Sequence, residues 1–189
     1  MTALEKQPLE SPSATRSTLY SGKILLSEGS EAAKRLAREA FGVVEEAFRD
    51  AGGPHLAQFE LSPEAFFDRI KILRKQLFEE RYWQDSMGAV VEARGFDLDR
   101  CAFDPLRLRC VASEGHLNPA AAAIYGTHRD VWYAHPPCLI TWWIPLHDVA
   151  EDETFQFFPD CLERPVPNDS GAFDYDAWVA DGPDLKIGW

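Results

Sequence analysis

The sequence lacks several features that would assign the protein to a class at once. No apolar run reaches the ~18 residues that span a bilayer, and the polar stretch 1–17 has no apolar core of a secretory signal. Basic residues are few: 19 Lys and Arg face 31 Asp and Glu, a net charge of -12. We therefore expect neither nucleic acid nor a membrane as a partner, and a cytoplasmic location.

Cysteine is scarce and irregularly spaced. The four cysteines form no CxxC pair, and three of them lie in or beside apolar segments. This pattern favours reduced, mostly buried thiols over a disulfide framework or a zinc site.

What is present is a composition typical of one globular domain. The 189 residues are 46% hydrophobic and 26% charged. We expect a flexible lead over residues 1–19 and a single domain over residues 20–189. Within that domain a helical part covers about 20–100, a β part about 105–160, and a loop-rich tail 160–189.

The helical part carries recognisable start signals and periodic apolar positions. Ser30 can cap a helix that runs to about Asp50, and Ser62 followed by Pro63 is typical of a second helix start. A third helix is predicted over about 84–93. The second helix should bury a stripe with helical spacing, formed by Phe66, Ile70, Leu73 and Leu77.

The β part shows a different pattern. Leu106–Val111 alternates with period two, typical of a half-buried strand, and Cys138–Leu146 is apolar on both faces, which suits a strand covered on both sides. Further strands are predicted at Lys23–Leu26, Thr127–Tyr133 and Thr154–Phe158, and one helical turn near Tyr175–Val179. Helices followed by strands predict an α+β fold.

The candidate site is the triplet His128-Arg129-Asp130. Residues two apart on a strand project on the same face, so the imidazole and the carboxylate can reach one ion. Two histidines and one carboxylate on one side of iron(II) leave its other positions open. The alternative is a histidine at a strand edge beside a solvated aspartate.

The surroundings of this triplet resemble a known family. GTHRDVWY, a Pro-Pro turn, TWWIPLHD and TFQFFP follow one another between residues 126 and 159. This order resembles the middle of the phytanoyl-CoA dioxygenase family of iron(II)/2-oxoglutarate-dependent oxygenases, over roughly residues 105–178. The resemblance implies a double-stranded β-helix (a cupin-like jelly roll) with N-terminal helices packed on one sheet.

The resemblance also implies a reaction and a set of site residues. Family members use iron and 2-oxoglutarate to oxidise, commonly to hydroxylate, small molecules. His128 and Asp130 match the first two metal ligands. Trp143 falls where family members often have a tryptophan that lines the cosubstrate pocket. As an alternative, Trp143 is a plain core residue.

Two residues that the family pattern requires are missing from this sequence. A distal histidine and a later arginine should follow, but after Asp130 the sequence has only His135, His147 and Arg164. Arg109 is a candidate to bind the cosubstrate carboxylate instead. The alternative is that Arg107 and Arg109 both lie on the solvent face of an alternating strand.

Only about half of the expected barrel strands are found, so we expect the jelly roll to be incomplete in this chain. Three explanations are open: a truncated or split reading frame, a partner chain or self-association that completes the sheet, or a smaller repurposed fold. Two functions follow. The first is an oxygenase that binds iron weakly and turns over little in isolation, and the second is a non-catalytic, oxygenase-like binding protein.

Overall fold

The structure, a computed structural model, describes residues 11–117, 126–150, 153–162 and 164–181. Across these ranges the regular structure is helical, and Leu26 alone has a bridge assignment. The six α-helices are α1 (Pro12–Tyr20), α2 (Glu31–Ala47), α3 (Pro54–Glu60), α4 (Pro63–Glu79), α5 (Arg81–Ala93) and α6 (Tyr175–Asp181). Short 3-10 helices lie at Arg49–Ala51, Leu98–Arg100, Gly115–Leu117, Asp130–Tyr133, Pro159–Cys161 and Ser170–Ala172.

The predicted fold class, α+β with helices on an incomplete jelly roll, is wrong for the part of the chain that the structure describes. That part is all-α and contains no sheet. A period-two hydrophobic pattern indicates that alternate side chains on one face of a segment are buried, but it does not identify the surface that buries them. In this protein helices cover that face.

The predicted helix starts are confirmed. The Ser30 hydroxyl accepts a hydrogen bond from the backbone N–H of Ala33 at 3.2 Å, and Ser62 accepts one from Ala65 at 3.3 Å. Each cap satisfies an N–H group that has no partner inside the helix. The four predicted stripe residues of α4 are the buried residues of that helix, namely Phe66, Ile70, Leu73 and Leu77.

Two helices were not predicted. Helix α1 begins inside the lead that we expected to be flexible, at Pro12, is capped by Ser11, and has no buried residue. Residues 1–10 of that lead lie outside the described ranges. Helix α3 begins directly after Gly52 and Gly53, whose φ angles of 74° and 91° fall where glycine is favoured. A diglycine that ends one helix also permits the turn into the next.

The described residues group into two compact units. Unit 1 comprises Met1–Cys110 and Trp142–Thr154, and unit 2 comprises Val111–Thr141 and Phe155–Trp189. In unit 1, helices α2, α4 and α5 pack on one another. Their shared core consists of the buried residues Ala33, Leu36, Ala40, Leu77, Trp83 and Val90.

Two segments that we predicted as strands pack on this helical core. Leu106, Leu108 and Cys110 are half-buried while Arg107 and Arg109 are exposed, which confirms the alternation but not the strand. The partner surface is the α2–α5 core, against which Leu106 and Leu108 pack.

The apolar run at 138–146 was predicted to be covered on both sides, and this is wrong. Trp142, Ile144 and Leu146 are half-buried against the core, whereas Trp143 is 45% exposed. Only one side of the segment has a cover in the described structure.

Unit 2 contains three further outcomes. The strand predicted at 127–133 is wrong, because Asp130–Tyr133 is a 3-10 helix. Phe155, Phe157 and Phe158 are exposed rather than part of a strand. The helical turn near residue 175 is confirmed as α6.

Two chain-wide predictions concern the membrane and the cysteines. Among the described helices, none combines the length and the apolar character that a membrane span requires. Cys101, Cys110 and Cys161 are half-buried free thiols and Cys138 is an exposed one. Burial raises the pKa of the Cys110 thiol, so this thiol is unreactive at neutral pH.

Candidate metal centre

The His128–Asp130 segment is shaped by two successive changes of chain direction in unit 2. Arg129 is extended and precedes the 3-10 helix, which ends at Ala134 with a left-handed φ of 60°. A turn then follows, in which the Leu139 N–H donates to the Pro136 carbonyl at 3.0 Å. These turns return the chain so that Thr141 reaches Asp130.

His128 is held in one orientation by its Nδ1 atom. Nδ1 lies 2.8 Å from the Gly126 carbonyl oxygen, which can only accept, so Nδ1 carries a hydrogen and donates. The ring also packs edge-on against Tyr133, with ring centroids 5.3 Å apart. Nε2 is therefore the nitrogen that a metal ion would bind in place of a proton, in the arrangement usual for metal-binding histidines.

Asp130 presents its two carboxylate oxygens to different partners. Oδ1 lies 3.5 Å from His128 Nε2. Oδ2 accepts a hydrogen bond from the Thr141 hydroxyl at 2.5 Å. The triplet thus brings its imidazole and carboxylate together, although the local backbone is not a strand.

These contacts lower the pKa of Asp130 to about 2. Hydrogen bonding to His128 is the largest cause, partial burial opposes it, and the Thr141 hydrogen bond and electrostatic interactions with His128 and His135 add to it. Asp130 is therefore ionised throughout the neutral range, the state in which a carboxylate binds a cation.

Arg129 anchors the segment that carries the pair. Its guanidinium donates to the backbone carbonyls of Cys161 and Arg164, the latter at 2.7 Å. It also lies over the ring of Trp132, 5.9 Å from its centroid. Among the described residues of unit 2, Trp132 is the buried hydrophobic side chain, so Arg129 ties the triplet to both the interior and the later loop.

The pair fits two positions of a metal coordination shell. An ion about 2.1 Å from each donor holds the two donors about 3.0 to 3.4 Å apart at octahedral to tetrahedral angles. The observed separation between Nε2 and Oδ1 is 3.5 Å, with Nδ1 engaged by the Gly126 carbonyl and the carboxylate ionised. A small movement of either side chain would admit the ion.

A third protein ligand is not found in the part of the chain that the structure describes. No group of three or more His, Cys, Asp or Glu side chains there is arranged to hold a metal ion. His135 is close enough to lower the pKa of Asp130 but does not complete such a group. His147 belongs to unit 1, where its ring packs against those of His55 and Phe41, with centroids 4.8 and 6.1 Å away.

The two predicted cosubstrate residues also belong to unit 1. Trp143 and Arg109 are exposed side chains of the segments that pack on the helical core. Arg107, the neighbour of Arg109 on the same face, pairs with Asp104 at 3.3 Å and lies over the Phe78 ring. The roles of Trp143 and Arg109 stay predictions.

Sequence reasoning missed Thr141 and Arg129 as residues that position the pair. Thr141 is a hydroxyl inside the apolar run CLITWWIPL, and an unexpected polar residue in such a run was the available signal. For Arg129 the sequence offered no such signal, because the side chain of a residue between two candidate ligands is expected to point away from them.

Comparison with known proteins adds no relative. No family model, no curated protein and no solved structure matches the chain. The family resemblance therefore stays a prediction drawn from the residue pattern. What the described residues define is a helical protein with a candidate two-ligand metal centre.

Proposed function

We propose that this chain is an iron(II)/2-oxoglutarate-dependent oxygenase of the phytanoyl-CoA dioxygenase type, with His128 and Asp130 as metal ligands. The observation that carries the proposal is the 3.5 Å separation between His128 Nε2 and Asp130 Oδ1. The family resemblance of the sequence around the pair implies iron and 2-oxoglutarate, and the donor set of one imidazole and one carboxylate is compatible with that metal.

Bound iron(II) with 2-oxoglutarate supplies oxygen activation for the oxidation, commonly hydroxylation, of a small molecule. The residues of the chain prepare the metal position. Gly126 fixes the His128 tautomer, Thr141 orients the Asp130 carboxylate, and Arg129 holds the backbone between them. Such supporting contacts reduce the reorganisation that ion binding requires.

The second candidate is a non-catalytic, oxygenase-like binding protein. It is favoured by a specific observation: the described residues supply two ligands and no third. With two ligands, iron affinity should be weak and turnover low unless another group completes the shell. A partner chain or a second copy would then contribute the missing ligand. For both candidate functions we propose a cytoplasmic location.

Anaerobic titration with iron(II) and 2-oxoglutarate tests the proposal. We expect weak binding, detected by the visible charge-transfer band of the iron–2-oxoglutarate complex and by calorimetry. His128→Ala and Asp130→Asn should each weaken iron binding by at least about tenfold, because each removes one of two ligands. Unchanged iron binding in both variants would rule out this centre.

The matched control is His55→Ala, since His55 is an exposed histidine of unit 1. It should bind iron as the unchanged protein does.

A turnover assay, the oxidative decarboxylation of 2-oxoglutarate, separates the two candidate functions. Iron-dependent turnover supports the oxygenase, whereas iron binding without turnover supports the binding protein.

A further inference from the structure

An open groove in unit 1 lies between α2 and α4, next to the start of α5. A hollow of about 700 Å³ has a largely apolar lining, with Val43 and Ala47 on one side and Ile72 on the other. Its floor includes Leu73 and Trp83, whose side chains are almost fully buried. Its size is in the usual range for small-molecule sites.

A second hollow, of about 380 Å³, adjoins the first and is different in character. Glu45, Glu46 and Arg49 line it together with the Gly53–Pro54 turn. Gly42 and Glu46 line both hollows, so the two meet on the surface of α2 at Gly42. The pair of hollows therefore has an apolar end and a charged end.

Gly42 has no explanation in the packing of the described residues. It lies in the interior of α2, where glycine disfavours the helix relative to alanine. A Cβ atom at this position would meet nothing within 4 Å. The missing side chain therefore leaves open space at the point that both hollows share, which we call the passage.

The charges around the groove favour a cation. Arg69 is held by Asp50 through contacts of 2.5 and 2.8 Å, and Arg49 pairs with Glu46. In the described part of the chain, Glu39 and Glu45 form no ion pair. Glu39 accepts a hydrogen bond from the Tyr82 hydroxyl at 2.5 Å.

We propose that this groove binds an aliphatic amine. The alkyl chain occupies the apolar hollow over Leu73 and Trp83, passes across Gly42, and places its ammonium group beside Glu45 in the second hollow. Burial of the alkyl chain drives binding, and the carboxylates select the sign of the charge. The site belongs to unit 1 and does not depend on the candidate metal centre.

Three probes of equal chain length test the assignment: decylamine, decanol and decanoate, each titrated into the full chain below its aggregation concentration by calorimetry. We expect decylamine to bind most tightly and decanoate most weakly. Glu45→Gln should weaken decylamine and leave decanol unchanged. Decanoate binding as tightly as decylamine would overturn the proposed charge selection.

Gly42→Leu tests the location. Leucine fills the passage, so decylamine affinity should fall by at least about tenfold, while its good helix propensity keeps α2 folded. Gly171→Leu is the matched control, because Gly171 is equally open, with nothing within 4 Å of a built Cβ, and belongs to unit 2. It should bind decylamine normally. Equal affinity in the Gly42 and Gly171 variants would place the amine elsewhere and overturn the site.

Discussion

Asp130 is the residue whose ionisation is most strongly shifted among those near the candidate centre. Its pKa lies at about 2 in the folded protein, against 3.8 for the isolated side chain. A carboxylate with a depressed pKa contributes stability above its unfolded pKa, and that contribution is lost as the pH falls through about 2.

Asp130→Asn should therefore lower the free energy of unfolding at neutral pH. The Asp130 side chain is 44% exposed, and after discounting for solvent screening we expect a loss of about 1 kcal/mol. The difference from the unchanged protein should shrink as the pH falls from about 4 towards 2. Urea unfolding followed by tryptophan fluorescence over this range measures it.

Asp148→Asn is the control for this prediction, as Asp148 is an exposed aspartate of unit 1. It should change the free energy of unfolding by less than about 0.5 kcal/mol at every pH. An Asp130→Asn difference that does not depend on pH would show that the His128 contact contributes no stability.

The proximity of His128 and Asp130 could be predicted from their spacing, but the reason differs from the one expected. On a strand, the two side chains would share a face because of the pleat. Here the extended Arg129 leads into a 3-10 turn that brings the two side chains within 3.5 Å. The contact with Thr141, eleven positions later, depends on turns that no local pattern specifies.

At the scale of elements, helix α2 carries a residue that weakens it. Gly42→Ala should raise the free energy of unfolding by about 0.5 to 1 kcal/mol, because alanine reduces the freedom of the unfolded chain and its Cβ meets no atom within 4 Å. Thermal or urea denaturation measures the change.

Gly52→Ala provides the opposite case with the same substitution. Gly52 has a φ of 74°, and a Cβ there would lie 3.2 Å from the Leu56 Cδ1 atom. This variant should be destabilised by about 1 kcal/mol or more. If the Gly42→Ala variant were also destabilised, the added Cβ atom would have to meet a close neighbour, contrary to the open space at position 42.

The sequence predicted helices better than strands for a physical reason. A helix satisfies its hydrogen bonds within one segment, so Ser62, Pro63 and the four apolar residues of α4 are sufficient local evidence. A strand needs a partner that the segment does not encode. Leu106–Cys110 has the burial period of a strand, but its partner surface is the helical core.

At the scale of the whole molecule, the described parts of the two units differ in how many hydrophobic side chains they bury. Unit 1 contains a core shared by α2, α4 and α5, whereas Trp132 is the buried hydrophobic residue among the described residues of unit 2. Because local stability follows buried apolar contact, unit 2 should open more readily.

Amide hydrogen exchange of the full chain tests this difference. The amides of α2 and α4 should exchange on the order of a hundredfold more slowly than those of the 3-10 helix at Asp130–Tyr133, allowing for intrinsic rates. Iron(II) should slow exchange around residue 130 and leave α2 unaffected. Equal protection in the two units would show that they unfold together.

The anchoring of the triplet has a consequence for which substitutions the later loop tolerates. Arg129 binds the carbonyl groups of residues 161 and 164, and every amino acid has such a group. The side chains at those two positions can therefore change without loss of the anchor, whereas position 129 needs a long side chain whose terminal nitrogen donates to both carbonyls, as Arg129 Nη2 does. The loop can diverge in sequence while the distance between imidazole and carboxylate is maintained.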